Sequence, residues 1–365
     1  MAAHIVEKAH ARVGFLGNPS DGYFGKTISF LLQNFSATVR LEPSDTLRFV
    51  PSLEHDPQEF LSLEALAVRA RTEGYYGGIR LLMAICARFH QYCSEKHINL
   101  PPKGNFTLAY DTNIPRQAGL SGSSAIICAT LSCLMRFYEV EDRIPWDDRP
   151  SLILSAEADL GITAGLQDRV IQVYGGLVYM DFEREHLAKT GNGIYTPLDP
   201  ALLPALQLIY ARNPSDSGKV HSTVKKRWLE GDLGIRTAME EVASIAEEGR
   251  EALEKGDHKA IAELMNRNFD LRRQMFGDEA LGAMNIDMVM TARSVGAAAK
   301  FTGSGGAVVA FCPQGSDQVK RLSEACDKKG FTMAPIQVAP SNVQGDNVVA
   351  MGEVCKSFVD RDTGA

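Results

Sequence analysis

The sequence predicts an α+β chain of two domains, and three observations lead to that class. The chain has 365 residues, long for a single hydrophobic core. Strand-like and helix-like stretches are mixed without the regular alternation of a doubly wound sheet. A loop-like stretch over 186–203, with Gly191, Gly193, Pro197 and Pro200, divides the chain. It gives an N-terminal unit over 1–203 and a C-terminal unit over 204–365.

Taken in order, residues 11–17 read as a short strand before the turn-rich run Asn18-Pro19-Ser20-Asp21-Gly22. Residues 35–41 and 46–50 alternate like strands of an antiparallel sheet. Helices are predicted over 62–71 and 78–95, then a strand over 106–113. The run 126–138 is apolar nearly all round, the pattern of a helix buried in the core. A helix over 150–160 and a strand over 177–182 follow. The second unit opens with a strand over 206–212. Helices are expected around 220–230, 235–255, 259–275 and 285–295, and strands over 306–311 and 333–338. Phe269-Asp-Leu-Arg-Arg-Gln-Met-Phe276 reads as the flank of an amphipathic helix and is assigned no chemistry.

Composition narrows the function. Hydrophobic residues make up 45%, ordinary for a globular protein, and the net charge is −7. An acidic chain is a poor candidate for sequence-independent binding to nucleic acid or an anionic membrane. One local basic cluster still suffices for a small anion. The seven cysteines are scattered and include no Cys-x-x-Cys pair, so neither a disulfide framework nor a zinc site is suggested. No signal peptide is read in residues 1–13, and no stretch approaches the roughly 18 apolar residues of a membrane helix. The expectation is a cytoplasmic protein with no obligate protein partner evident.

The most informative stretch is Asn113-Ile-Pro-Arg-Gln-Ala-Gly-Leu-Ser-Gly-Ser-Ser-Ala-Ile126. A strand ends, a loop with two glycines and three serines follows, and a long apolar helix begins. Glycines allow the backbone close to a phosphate chain. The first amides of a helix lack intrahelical partners, and the helix dipole adds positive potential there. Ser121, Ser123 and Ser124 add hydroxyls for phosphate oxygens or a magnesium ion. A capped helix after an ordinary turn would show much the same pattern. The spacing is not Gly-x-x-x-x-Gly-Lys-Ser/Thr, so a P-loop fold is not implied.

These residues resemble a family. Pro115-x-x-x-Gly119-Leu120-x-Gly122-Ser123-Ser124-Ala125 is similar to the second motif of the galactokinase, homoserine kinase, mevalonate kinase and phosphomevalonate kinase (GHMP) superfamily. Ala11-Arg-Val-Gly-Phe-Leu-Gly-Asn-Pro-Ser-Asp-Gly-Tyr23 resembles its first motif, and Lys300-Phe-Thr-Gly-Ser-Gly-Gly-Ala307 its third. The three stand in order across nearly the whole chain. Four further segments, beginning at Phe15, Gly74, Tyr110 and Asn213, are similar to plant-type glucuronokinases, which phosphorylate the anomeric hydroxyl of D-glucuronate.

The resemblance implies a two-domain kinase fold with the active site in the cleft between domains, using ATP and Mg²⁺. The ATP loop would comprise Pro115, Gly119, Leu120, Ser121, Gly122, Ser123, Ser124 and Ala125. Ser124 and Glu157 resemble the magnesium pair, and Asp168 the catalytic carboxylate. Spacing alone would make Glu157 a solvated helix acid. Whether Asp168 is a full base or an orienting charge stays open. Arg12 matches the family arginine near the transferring phosphate, and Asp21 the aspartate that contacts sugar hydroxyls. Gly303, Ser304 and Gly305 would support the substrate and phosphate site. Arg169 ranks lower, because it need not face the same way as Asp168.

Where sugar kinases carry Glu-His after the glycine of motif one, this chain has Asn18-Pro19. A missing glutamate suits an anionic sugar, which it would repel. Arg116, Lys219 and Arg80 are candidate partners for the substrate carboxylate, with no means of choosing among them. The rival readings are another kinase of the superfamily, acting on galacturonate, a neutral sugar or mevalonate, and a non-catalytic sugar or nucleotide sensor.

Overall fold

The computed structural model describes residues 4–73, 77–211 and 222–343. In chain order the strands are β1 (Ile5–Leu16), β2 (Lys26–Ser44), β3 (Arg48–Val50), β4 (Asn105–Thr112), β5 (Leu177–Asp181), β6 (Ile194–Leu198), β7 (Leu206–Tyr210), β8 (Ala298–Phe301), β9 (Ala307–Phe311) and β10 (Thr332–Pro335). The α-helices are α1 (Leu63–Glu73), α2 (Ile79–Glu95), α3 (Gly122–Phe137), α4 (Asp148–Asp159), α5 (Gln167–Tyr174), α6 (Arg184–Thr190), α7 (Ser222–Leu229), α8 (Leu233–Lys255), α9 (His258–Phe276), α10 (Asp278–Leu281), α11 (Ala283–Ser294) and α12 (Ser316–Lys329).

One sheet runs β3-β4-β2-β5-β6, with β1 also paired to β2; the other runs β10-β7-β9-β8. The spine of the first is β2. β1 lies antiparallel along one edge of it, while β5 and then β4 pair with its two halves. The β1–β2 register jumps from His10↔Ser36 to Ala11↔Leu32, which leaves Gln33–Phe35 as a bulge. That bulge carries cross-links to the chain leaving β10: Gln33 N–H donates to the Gln337 carbonyl, and Asn34 Nδ2 to the Pro335 carbonyl.

β1 lengthens the expected strand, and its second half, from Ala11 to Leu16, is wholly buried. Buried on both faces, it loses the alternation that would mark its sides. α3 is buried nearly all round, as its composition predicts, and packs against β1, β2 and α2. The paired helices α8 and α9 touch both sheets: α8 packs on β2, and α9 on β8 and β1.

Two expectations need correction. β3 pairs parallel to β4, where an antiparallel neighbour was expected; the two helices between them form the crossover that a parallel pair needs. The supposed loop at 186–203 holds α6 and β6. Glu183 caps α6 by accepting from the Glu185 and His186 amides, and Gly191 ends it in the left-handed region. Pro197 fits because β6 is an edge strand. Asp168 follows the loop at Gly165 and lies in the first turn of α5. Among the described residues no helix is long and apolar enough to cross a membrane.

Candidate active site

Arg12, on the buried half of β1, joins four segments that are remote in sequence. Its Nε and Nη2 donate to the two carboxylate oxygens of Asp168 at 2.5 and 2.8 Å. Its Nη1 donates to the carbonyls of Gly119 at 2.6 Å and Thr302 at 3.2 Å. A planar fork is what permits this arrangement: two parallel N–H groups match the two oxygens of one carboxylate while a third reaches the carbonyls, a two-pronged grip that a lysine's compact ammonium cannot match. β1 adds two backbone ties, from the Arg12 amide to the Leu120 carbonyl and from the Gly14 amide to the Thr302 carbonyl.

The glycine loops of motifs two and three pack backbone against backbone. Gly119 sits at φ +62°, and a Cβ there would lie 2.2 Å from the Gly305 carbonyl oxygen. A Cβ on Gly303 would lie 2.4 Å from the Gly119 oxygen. Only glycine allows this approach.

α3 begins at this contact. Ser121 occupies its N-cap at φ 62°, yet no side chain caps the helix. A serine there ordinarily accepts from the first-turn amides. Here Ser121 Oγ donates to Asp168 Oδ2 at 2.5 Å instead, so the helix end keeps amides available to an anion. Ser123 and Ser124 both donate to Glu157 Oε1, at 2.9 and 3.0 Å. Arg169 Nε donates to Glu157 Oε2 at 2.5 Å, and its Nη1 to the Gly165 carbonyl at 2.9 Å. Glu157 and Arg169 are both buried.

The charges set one another's protonation. Burial alone would raise the Asp168 pKa, but the Arg12 and Arg169 guanidinium groups outweigh it and hold the carboxyl well below the usual range. Asp21 behaves oppositely: burial, and then the Asp168 charge, push it up to about 6. Burial, with Arg272 and Arg12 nearby, pulls the Lys300 ammonium well down.

A helix end without a side-chain cap, a glycine cradle and an arginine-held carboxylate suit phosphoryl transfer, and comparison with known proteins agrees. The family model described as "GHMP kinases N terminal domain" matches residues 80–176, and "GHMP kinases C terminal" matches residues 250–330. "Glucuronokinase 1" of Arabidopsis thaliana is 61% identical over 346 residues, covering 95% of each chain. "Probable glucuronokinase 2" of the same plant is 61% identical over 347 residues, 95% of this chain and 94% of that one. The crystal structure of the Lin0012 protein from Listeria innocua superposes with a TM-score of 0.73 at 14% identity, over 94% of this chain and all of the other. This chain belongs to the GHMP kinase family. It is an ATP-dependent kinase acting on a small molecule.

Within this GHMP kinase the structure gathers Arg12, Ser121 and Asp168 into one hydrogen-bonded group, and Ser123, Ser124 and Glu157 into a second. The side chains of Leu120 and Ala125 are core, so only their backbone faces the loop. Pro115 O accepts from the Ala118 amide and shapes the turn before the glycines. Asp21 Oδ2 accepts from the Gln167 amide at 3.4 Å, which puts it beside Asp168 at the start of α5. Gly303 and Gly305 touch the Gly119 segment directly; Ser304 lies between them in the same turn.

Asn18 departs from its expected part. It is buried, its Oδ1 accepts from Lys300 Nζ at 2.6 Å and its carbonyl accepts from Asn268 Nδ2 at 3.0 Å. A glutamate there would meet Lys300, so its absence does not bear on repulsion of the substrate. Arg169 was ranked too low. Every residue of α5 except Asp168 is buried, so Arg169 has no polar face to occupy and takes the Glu157 carboxylate. Sequence missed the parts of Lys300 and Asn268: Lys300 is the polar residue of the otherwise apolar strand β8, and Asn268 is one of many polar residues on α9, with no period that marks it as inward-facing. Arg80 and Arg116 are half-buried, and Lys219 lies outside the described residues.

Mg²⁺ can be tested against this donor set. Two ligands at about 2.1 Å on adjacent octahedral corners stand roughly 3 Å apart. Ser124 Oγ and Glu157 Oε1 are 3.0 Å apart, while Arg169 holds the other carboxylate oxygen. No cluster of three acidic, His or Cys ligands occurs among the described residues. Mg²⁺ keeps several waters and takes further ligands from nucleotide phosphates, so two protein oxygens suffice. The residues fit the ion.

Proposed function

We propose that this kinase transfers the γ-phosphoryl group of ATP to the anomeric hydroxyl of D-glucuronate, giving D-glucuronate 1-phosphate and ADP. The observation that carries the substrate is the 61% identity to Arabidopsis glucuronokinase 1, sustained over 95% of both chains.

The nucleotide phosphates would lie at the N-terminus of α3, bound by backbone amides and by the helix dipole. Ser124 and Glu157 would hold Mg²⁺. When bound, the ion neutralises charge on the phosphate oxygens. Arg12, bonded to Asp168 and to the Gly119 carbonyl, would stabilise negative charge that develops during transfer. Asp168, kept ionised by two arginines, is a weak base, and an ideal general base has a pKa near the working pH. We therefore assign it the task of orienting the attacking hydroxyl, with Asp21 taking a further sugar hydroxyl. The glycines of motif three shape the wall opposite the phosphate loop.

We also place the domain boundary between residues 203 and 204. In support, the strands of the first sheet end at Leu198 and those of the second begin at Leu206. We assign the protein to the cytoplasm, which its thiols favour: Cys86, Cys93, Cys128, Cys133, Cys312 and Cys326 are all unpaired.

The test is ADP release with Mg-ATP across D-glucuronate, D-galacturonate, D-galactose, D-glucose and mevalonate. Strong turnover with glucuronate alone is expected. Preference for a different acceptor would discard the glucuronate assignment and keep the kinase.

A further inference from the structure

We propose that Arg272, on α9, is the anchor for the carboxylate of the acceptor sugar acid and so sets selection of an acid over a neutral sugar. The proposal rests on the reading that the acceptor is a sugar acid, and adds the residue that recognises it.

The fully buried cations among the described residues are Arg12, Arg169, Arg272 and Lys300. Three of them have partners. Arg12 serves Asp168, Gly119 and Thr302; Arg169 serves Glu157 and Gly165. Lys300 Nζ spends its three donors on the Gly14 carbonyl, Asn18 Oδ1 and the Phe301 carbonyl, at 2.6 to 2.8 Å. Arg272 is different. It is 3% exposed, and its Nε and Nη2 have no hydrogen-bond partner among the described residues. A buried, unmatched donor costs about 1–3 kcal/mol, more when charged, and such groups persist where a ligand completes them.

Its position is set by its own helix. Asn268 lies one turn earlier on the same face of α9. It accepts from the Gly17 amide and donates to the Asn18 carbonyl, both at 3.0 Å. That face of α9 is thereby clamped to motif one, and Arg272 comes within electrostatic reach of Tyr23, Arg12 and Asp21. The rings of Phe276 and Phe301 lie 5.3 and 5.5 Å from its guanidinium carbon. Phe301 immediately precedes motif three. The group therefore stands between the two motifs that enclose the proposed acceptor.

A guanidinium there suits a carboxylate. Its fork matches two oxygens, and the aromatic walls exclude water, which strengthens the charge pair. Burial pulls Arg272 down to about 10, so it stays protonated at neutral pH. A purely structural cation held between two rings is the competing role, and it makes no distinction between acceptors.

The experiment compares wild type with Arg272→Met and Arg272→Lys, measuring ADP release on D-glucuronate, D-galacturonate and D-glucose, ATP affinity, and thermal melting. The expected result is a rise of about 100-fold in the acid's KM for Arg272→Met, the size of a lost charged hydrogen-bond pair. kcat and ATP affinity change little, D-glucose turnover is untouched or improved, and Arg272→Lys recovers part of the KM. An unchanged acid KM in a folded variant that binds ATP would overturn the proposal, as would an equal loss on acid and neutral sugar. If Arg272→Met fails to fold, Arg272→Lys decides by the same acid-against-neutral comparison. Wild-type turnover of D-galacturonate in place of D-glucuronate, lost selectively in Arg272→Met, would refute the glucuronate reading and uphold the anchor.

Discussion

Arg12 and Asp168, 156 positions apart, meet as a two-pronged pair, and the same guanidinium grips the Gly119 carbonyl of the phosphate loop. Breaking a largely buried pair strands the remaining charge, at a cost that reaches about 3–5 kcal/mol when burial is complete. Asp168→Asn should therefore lower stability as well as kcat, the latter by at least about 100-fold. The two losses are separable. An Arg12→Met, Asp168→Asn double variant should regain most of the melting temperature and none of the activity. A double variant less stable than Asp168→Asn alone would show that the pair is not a coupled unit.

Glu157 carries a second such coupling. It accepts from Ser123 and Ser124 on one oxygen and from Arg169 on the other. Glu157→Gln removes a charge from the proposed metal position and leaves buried Arg169 with Asp168, 3.6 Å away, as its remaining counter-ion. We expect the Mg²⁺ concentration for half-maximal rate to rise about tenfold or more, with a stability loss on the order of 3 kcal/mol. Adding Arg169→Met should relieve the stability loss while the metal requirement stays high. A magnesium titration of the rate beside denaturant unfolding reads both; an unchanged titration would remove Glu157 from the metal site.

Asp21 gives a pH prediction. Its folded pKa is raised from 3.8 to about 6, by burial first and the Asp168 charge second. A raised acid contributes its stability below the unfolded value, and loses it as the pH climbs through the folded one. Above pH 6 the ionised form carries a cost on the order of 1–3 kcal/mol. Asp21→Asn cannot ionise and can still accept from the Gln167 amide. It should be more stable than wild type at pH 8 and equal to it near pH 4, with weaker acceptor binding throughout. Unfolding by urea at the two pH values checks this, and a gain that is the same at both would exclude Asp21 as its source.

The three glycine motifs were legible because glycine at a close approach leaves a sequence trace: Gly119, Gly303 and Gly305 sit where a Cβ would strike backbone or a packed side chain. The buried helix α3 was legible from its unbroken apolar run. Less could be read where burial, rather than pattern, decides a residue's part. Arg169 and Arg272 look like ordinary helix-surface cations until α5 is seen to be enclosed and Arg272 to lie on the buried face of α9. Asn18 looked like a substitution at the sugar site and instead serves Lys300, a residue 282 positions away. The parallel pairing of β3 needed the path of α1 and α2, which no local alternation encodes.

Gly119 and Gly122 offer a test of the close approach itself. Both belong to the same loop, and a composition argument treats them alike. Gly119 sits at φ +62°, and its added Cβ would lie 2.2 Å from the Gly305 carbonyl oxygen. The backbone of motif three would have to move, and it carries the Thr302 carbonyl that Arg12 and Gly14 use. Left-handed strain alone costs about 1–2 kcal/mol for an L-residue. An added Cβ on Gly122 would meet only Ile114 Cγ2, at an ordinary 3.5 Å, in the first turn of α3. Gly119→Ala should therefore lose stability on the order of 3 kcal/mol and raise the KM for ATP at least tenfold. Gly122→Ala should match wild type in stability or gain a few tenths of a kcal/mol from its helix preference. Chemical unfolding of the two variants side by side discriminates. Equal losses would mean that the loop needs glycine for flexibility in general, and that the contact between motifs two and three does not set the geometry around Arg12.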